Sequence, residues 1–304
     1  MGFDLPEPPP APAPPDVAWL ALSLIKQIGG KTFRALLAEF DNDPYAVISA
    51  STKDLRKVPR IGEKIAAAIH GIDLDATQNA MTRWLDAGVQ IMTFDDPRYP
   101  QRFKTVPDAP PILFMLGGEK ALNPARTAAI IGTREPSPQA KAIIPMLVEA
   151  LVQQDVTVMS GLAFGVDYEA HFHTLSHGQR GCSVAVLGSG ILNIYPREHT
   201  QLAQALTKHQ QGAILCEVAP SATVSTPGLV ARNRLISGLS DIVIIVESSV
   251  TGGAMHARRF ATTQGRRIAT FDLPQSGNQQ LLKDGALKLP MDDTLINVIT
   301  TLYR

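Results

Sequence analysis

The sequence predicts an α/β protein, a doubly wound and mainly parallel sheet preceded by a small all-helical domain. Three observations carry this. Beyond about residue 87, six short apolar runs (127–132, 156–161, 182–188, 213–217, 241–247 and 266–271) alternate with segments long enough for crossover helices. The runs are β-rich and almost continuously apolar, as strands buried on both faces must be. Before residue 87 the apolar residues instead recur at helical spacing. Strand, crossover and strand repeated this often give a Rossmann-like architecture.

The elements follow in order. Residues 1–16, "MGFDLPEPPPAPAPPD", form a proline-rich tail. Proline fixes φ and removes the N–H donor, so the tail is expected to be extended and disordered. It has neither the basic n-region nor the apolar h-region of a signal peptide. Residues 17–86 read as a helical domain of the helix-hairpin-helix or SAM-like kind. "VAWLALSLIKQI" is a first helix, stopping at Gly29-Gly30, and "KTFRALLAEF" a second. In "STKDLRKVPRIGEKIAAAIHG", Ser51 with Asp54 marks a helix start, residues 59–62 a turn, and Glu63 the next helix. Such a hairpin can offer N–H groups to a phosphate, or serve only for packing. Arg60 stands where that turn usually has glycine. From residue 87 to 304 the sheet domain follows, opening with the strand "GVQIMTF", a proline-punctuated connection and a second strand at 112–116.

Composition narrows the function. The 28 basic and 28 acidic residues cancel, so the chain as a whole attracts neither nucleic acid nor an anionic membrane. A polyanion must find a local basic pocket. Cys182 and Cys216 each lie inside an apolar run, which predicts buried thiols in a reducing compartment. No apolar segment is long enough to span a bilayer. A cytoplasmic protein without a membrane contact is expected.

Ligands of such sheets bind outside the carboxyl ends of the strands. Four loops belong there: "GTREPS" (132–137), "SGLAFGVD" (160–167), "STPGLVARNRLISG" (225–238) and "SSVTGGAMHARR" (248–259). A phosphate needs bare backbone N–H groups, a helix start and a cation. Gly161 and Gly165 supply bare backbone in one loop, Gly252 and Gly253 in another. Arg134, Arg232 and Arg234 supply planar donors suited to phosphate oxygens. The alternative is that these arginines cap helices or pair with Glu217 and Glu247. No G-x-G-x-x-G fingerprint or Walker lysine is present. Asp167 and His171 share a helical face, but no serine or cysteine is placed to complete a triad. Asp167 is expected to brace a helix start and His171 to be a packed histidine. Neither a metal site nor a cofactor is expected.

The segments "IIGTREPS", "SGLAFGVDYEAH", "VAVLGSGILNIYP", "ARNRLISGLSDIVIIVES" and "QGRRIATF" together resemble, in order, the motifs of the DNA-processing protein A (DprA, or Smf) family. The resemblance runs from about residue 17 almost to the end. It implies a non-catalytic protein that binds single-stranded DNA, forms a homodimer and loads RecA in recombination and natural transformation. By motif match, Arg134, Gly161, Gly165, Arg232, Asn233 and Arg234 fall at the family's pocket positions. The family's C-terminal winged helix is expected to be absent here. The alternative is a nucleotide-binding sensor or a phosphoribohydrolase-like enzyme of the same superfamily. Those hydrolases carry an acid on the helix turn after a glycine loop, and "TGGAMHARR" has none.

Overall fold

The computed structural model describes residues 15–209 and 212–303, so the expected proline-rich tail lies outside the described residues apart from its last two. Asp16 opens α1 (Val17–Ser23) by accepting the N–H of Ala18 at 2.7 Å and of Trp19 at 3.2 Å. The helix ends well before Gly29, where the sequence pattern placed its stop. Ser23 Oγ bonds back to the Trp19 carbonyl at 2.8 Å, a local bond that competes with helix propagation. Five helices follow: α2 (Gly30–Glu39), α3 (Pro44–Ser49), α4 (Thr52–Leu55), α5 (Glu63–His70) and α6 (Leu74–Asp86). The expected hairpin is α4 and α5, with Ser51 Oγ accepting the Asp54 N–H at 3.1 Å. Arg60 in its turn adopts φ 73°, the left-handed conformation that glycine usually supplies.

The sheet domain runs β1 (Gln90–Thr93), α7 (Gln101–Lys104), β2 (Ile112–Gly117), β3 (Thr127–Ile131), α8 (Pro138–Val152), β4 (Thr157–Ser160) and α9 (Val166–Ser176). It continues with β5 (Ser183–Val186), α10 (Thr200–Lys208), β6 (Gly212–Cys216), α11 (Thr226–Ala231), α12 (Asn233–Gly238) and β7 (Ile242–Ile245). Then come α13 (Ala254–Thr263), β8 (Arg267–Phe271), α14 (Ser276–Lys283), β9 (Leu287–Leu289) and α15 (Leu295–Leu302). All six expected apolar runs are strands. β9 was not anticipated, because Leu-Lys-Leu is too short and too polar to give a strand pattern. Among the described residues nine strands lie in the order β1-β2-β6-β5-β4-β3-β7-β8-β9. β1–β2 and β2–β6 are antiparallel and the other pairs parallel.

The chain builds outward from β3 through β4, β5 and β6, then returns to lay β7 against the other side of β3. Ala128 of β3 is opposite Val158 on one side and Ile242 on the other. The winding reverses there, which opens a crevice at the carboxyl ends of β3, β4 and β7. Side chains alternate across the sheet. Ala129, Ile131, Met159 and Val243 join one core, and Ala128, Ile130, Val158 and Ile244 the other. The helical segment has its own core around Phe33, Leu36, Leu55 and Ile69. Leu20 of α1 and Met81 and Trp84 of α6 are instead buried in the sheet's core with Phe114, Leu162 and Ile214. Trp84 meets Phe114 edge-on at 5.6 Å. Cys182 and Cys216 are buried, and neither is in a disulfide. No described helix is long and apolar enough to cross a membrane.

Candidate nucleic-acid interface

A cleft of about 580 Å³ opens at the winding reversal. Its walls come from the loops after β3, β4 and β7 and from the α11–α12 segment. The loop after β3 is anchored from the end of β7. Glu247 accepts the Thr133 N–H through its carbonyl at 2.8 Å and the Ser137 N–H through Oε2 at 2.7 Å. Glu247 therefore serves backbone donors and none of the three arginines.

The loop after β4 has to pass close beneath this one. Gly165 makes the crossing, with φ 72° and ψ −124°. A Cβ there would lie 2.5 Å from the carbonyl oxygens of Thr133 and Arg134. The Val166 N–H then donates to Thr133 O at 3.1 Å, tying the two loops together. Asp167 braces the turn by accepting the Gly161 N–H at 3.1 Å.

Arg232 stands at the α11–α12 junction and is 6 % exposed. Its Nη1 donates to the carbonyls of Gly161 and Val186, the latter at 2.7 Å. Its Nη2 is 3.9 Å from Asp167 Oδ2. Gly161 leaves the guanidinium its room, since a Cβ there would fall 1.8 Å from Nη1. Burial pushes the Asp167 carboxyl above its usual range, opposed by Arg232 and by the N–H groups of Ala163 and Gly161. The two side chains form one buried unit that joins three loops.

The three arginines expected at this edge thus separate. Arg134 is exposed on the cleft wall, and among the described residues no acid lies within ion-pair distance of it. Arg232 reaches the cleft but is buried and committed to backbone carbonyls. Arg234 is not brought to the cleft. Two residues along α12 from Arg232, its guanidinium turns away, to Glu217 and to the Asp108 carbonyl at 3.0 Å. Asn233 lines the cleft between them. Gly252 and Gly253 line it too, where they lead into α13, whose start has no side-chain cap and whose Met255 and His256 N–H groups bond the Gly252 and Gly253 carbonyls. An uncapped helix start carries partial positive charge toward the cavity.

Sequence reasoning missed two aromatic residues here. Phe164, 40 % exposed, and Tyr195, 38 % exposed, line a small annex of the cleft beside Arg134. Only a fold could reveal Tyr195, which is 34 residues from Gly161 in sequence. His256 also lines the cleft.

His171 is the packed histidine expected, fully buried beneath the loop. Ser183 Oγ donates to the Val158 carbonyl at 3.1 Å, so it accepts from His171 Nδ1 at 2.7 Å. The proton therefore sits on Nδ1, and Nε2 has no partner. Burial, with Arg232 and His199 adding, lowers its pKa from 6.5 to about 3. A lowered pKa means that the unfolded chain takes the proton first. The stability is complete above about pH 6.5 and is lost as pH falls from there toward 3, at about 1.4 kcal/mol per unit. Urea unfolding at several pH values should show wild type losing stability faster than His171→Asn over this window. Parallel curves would contradict it.

The profile of DNA recombination-mediator protein A matches residues 90–299. The chain belongs to the DNA recombination-mediator protein A family. Within that family it is 31 % identical over 267 residues to Protein Smf of Synechocystis sp., covering 86 % of this chain and 65 % of that protein. It is 29 % identical over 246 residues to the DNA processing protein DprA of Bacillus subtilis, covering 79 % and 82 %. The chain thus spans about two thirds of the first relative's length. The fold matches DNA processing protein A of Streptococcus pneumoniae with a TM-score of 0.75 at 22 % identity, over 92 % of this chain and 95 % of that one. It also matches DNA processing protein A of Helicobacter pylori, a structure describing that protein's single-stranded DNA binding mode. There the TM-score is 0.62 at 28 % identity, over 70 % and 95 %.

Proposed function

We propose that this protein is a single-stranded DNA-binding recombination mediator whose cleft grips the strand without cutting it. The carrying observation is the cleft itself, where an unpaired Arg134 faces glycine loops and an uncapped helix start. Phosphates take the N–H groups and Arg134, while Phe164 and Tyr195 offer faces to bases. Such contacts read no base edge, so sequence preference is slight.

The lining argues against hydrolysis. Among the described residues Asp167 is its one carboxylate, and that group is buried and engaged. Ser248 donates to the Ser249 carbonyl and Ser249 contacts Thr251, so neither serine is paired with His256. The phosphoribohydrolase alternative finds no general base on the turn after Gly253. Family membership supports RecA and a second copy of this chain as partners, and a cytoplasmic site of action. Residues 17–86 are proposed as the helical domain and 87–304 as the DNA-gripping domain.

Arg134→Ala tests the reading. Each phosphate contact on a single strand contributes about −0.7 to the slope of log affinity against log salt. The variant should bind every oligonucleotide more weakly, flatten the slope by about that unit, and melt at the wild-type temperature. Wild-type affinity and slope would take Arg134 out of the site.

A further inference from the structure

Four aromatic rings run in unbroken contact from the cleft outward along α9. Phe164, beside Arg134 and Arg232, meets His199 edge-on at 4.6 Å. His199 meets Tyr168 at 4.7 Å, and Tyr168 stacks with Phe172 at 6.0 Å with the planes 10° apart. His199 is the keystone. It is buried, and its Nδ1 donates to the Leu162 carbonyl at 2.8 Å, which fixes the ring. Tyr168 and Phe172 are four residues apart on one helix and so share a face. Phe172, at the far end, is 48 % exposed. The opposite side of α9 is packed against α8 and the sheet.

We propose that this ribbon is a base-stacking track that carries a single strand out of the cleft and along α9. The proposal rests on the reading of the cleft as a single-stranded DNA site. A strand whose phosphates are held at Arg134 and the glycine loops turns its bases toward the neighbouring wall. That wall begins with Phe164, and ring contacts lead from it through the buried His199 to Tyr168 and Phe172. Every base has a π-face, so a row of rings accepts any sequence. The row is one ring wide, and one of its rings is buried. That falls far short of the roughly 800 Å² per partner that a stable protein interface covers. A narrow file of rings, exposed at Phe164 and Phe172 and partly buried at Tyr168, joined to a cationic cleft fits a polynucleotide.

The track predicts an affinity that grows with strand length through Phe172. The probes are oligothymidylates of about four and about twelve nucleotides, the range a single-strand site spans. Phe172→Ala should bind the short probe as wild type does and the long one about five- to tenfold more weakly. Tyr168→Ala should behave likewise. Phe172 is half exposed, so an unchanged melting temperature will show that the fold is kept. If both variants bind the long probe with wild-type affinity, the track is wrong and the cleft reading stands. If Phe172→Ala instead splits an assembly in light scattering while long-probe affinity is unchanged, the ribbon is a contact between copies. If the unaltered protein binds neither probe, the cleft reading fails and the track with it.

Discussion

Replacing Arg232 with alanine should lower the stability of the fold by about 3–5 kcal/mol, the cost of leaving one member of a buried ion pair alone. Asp167 would keep its place beneath the loop with no cation beside it. It must then take up a proton or remain a bare buried charge. The carbonyls of Gly161 and Val186 lose their donor as well. At about 2–4 °C per kcal/mol for a chain of this size, the melting temperature should drop by roughly 10 °C. Calorimetry of the single variant, and of Arg232→Met combined with Asp167→Asn, separates the causes. The double variant has no orphaned charge and should regain part of the loss. A single variant that melts with the wild type would show that Arg232 is not the brace described. Whatever DNA affinity its folded fraction keeps should retain the wild-type salt slope, since Nη1 is given to the Gly161 and Val186 carbonyls and Nη2 lies beside Asp167.

Gly165→Ala is expected to be comparably severe and to act on binding as well as on the fold. The backbone there is the mirror image of an extended conformation, which costs an L-residue about 1–3 kcal/mol. The new methyl also meets main-chain atoms of Thr133 and Arg134, which cannot rotate aside. The loop bearing Arg134 must move, and it is held by Glu247. Oligonucleotide affinity should fall by more than tenfold, roughly 1.4 kcal/mol or more, with a lower melting temperature. Gly178→Ala, also at positive φ but with open space around it, should lower stability modestly and leave affinity unchanged. Equal effects at the two glycines would mean that strain, rather than loop crossing, decides the outcome.

The strands were legible because a sheet buried on both faces writes itself as unbroken apolar runs, and β3 to β8 are such runs. β9 was not, since a three-residue edge strand carries no period. The cleft was legible as far as its glycines: Gly165 meets a backbone requirement at positive φ, and Gly161 and Gly252 leave room that a Cβ would take from Arg232 and Ser248, whereas Gly253 stands in open space. The arginines were less so. An arginine in sequence shows charge and length but not direction. Arg232 and Arg234 are two positions apart at the start of one helix, which turns them to different sides. One serves as an internal brace and the other pairs with Glu217. Phe164 stood inside the most informative loop and still told nothing, because an aromatic residue reads as core until its exposure is known.

The placement of Leu20, Met81 and Trp84 in the sheet's own core bears on how such a protein can be inherited. A module can be shuffled between genes as a cassette when its apolar side chains face only one another. Phe33, Leu36 and Ile69 meet that condition, and these three do not. They roof Phe114 and Ile214 and sit in the same cluster as Leu162 of the cleft loop. Loss of the leading helices would therefore leave a hydrophobic wound beside the cleft loops. Substitutions in α1 and at the end of α6 must therefore fit β2 and β6, a constraint that the outer helices of the bundle do not share.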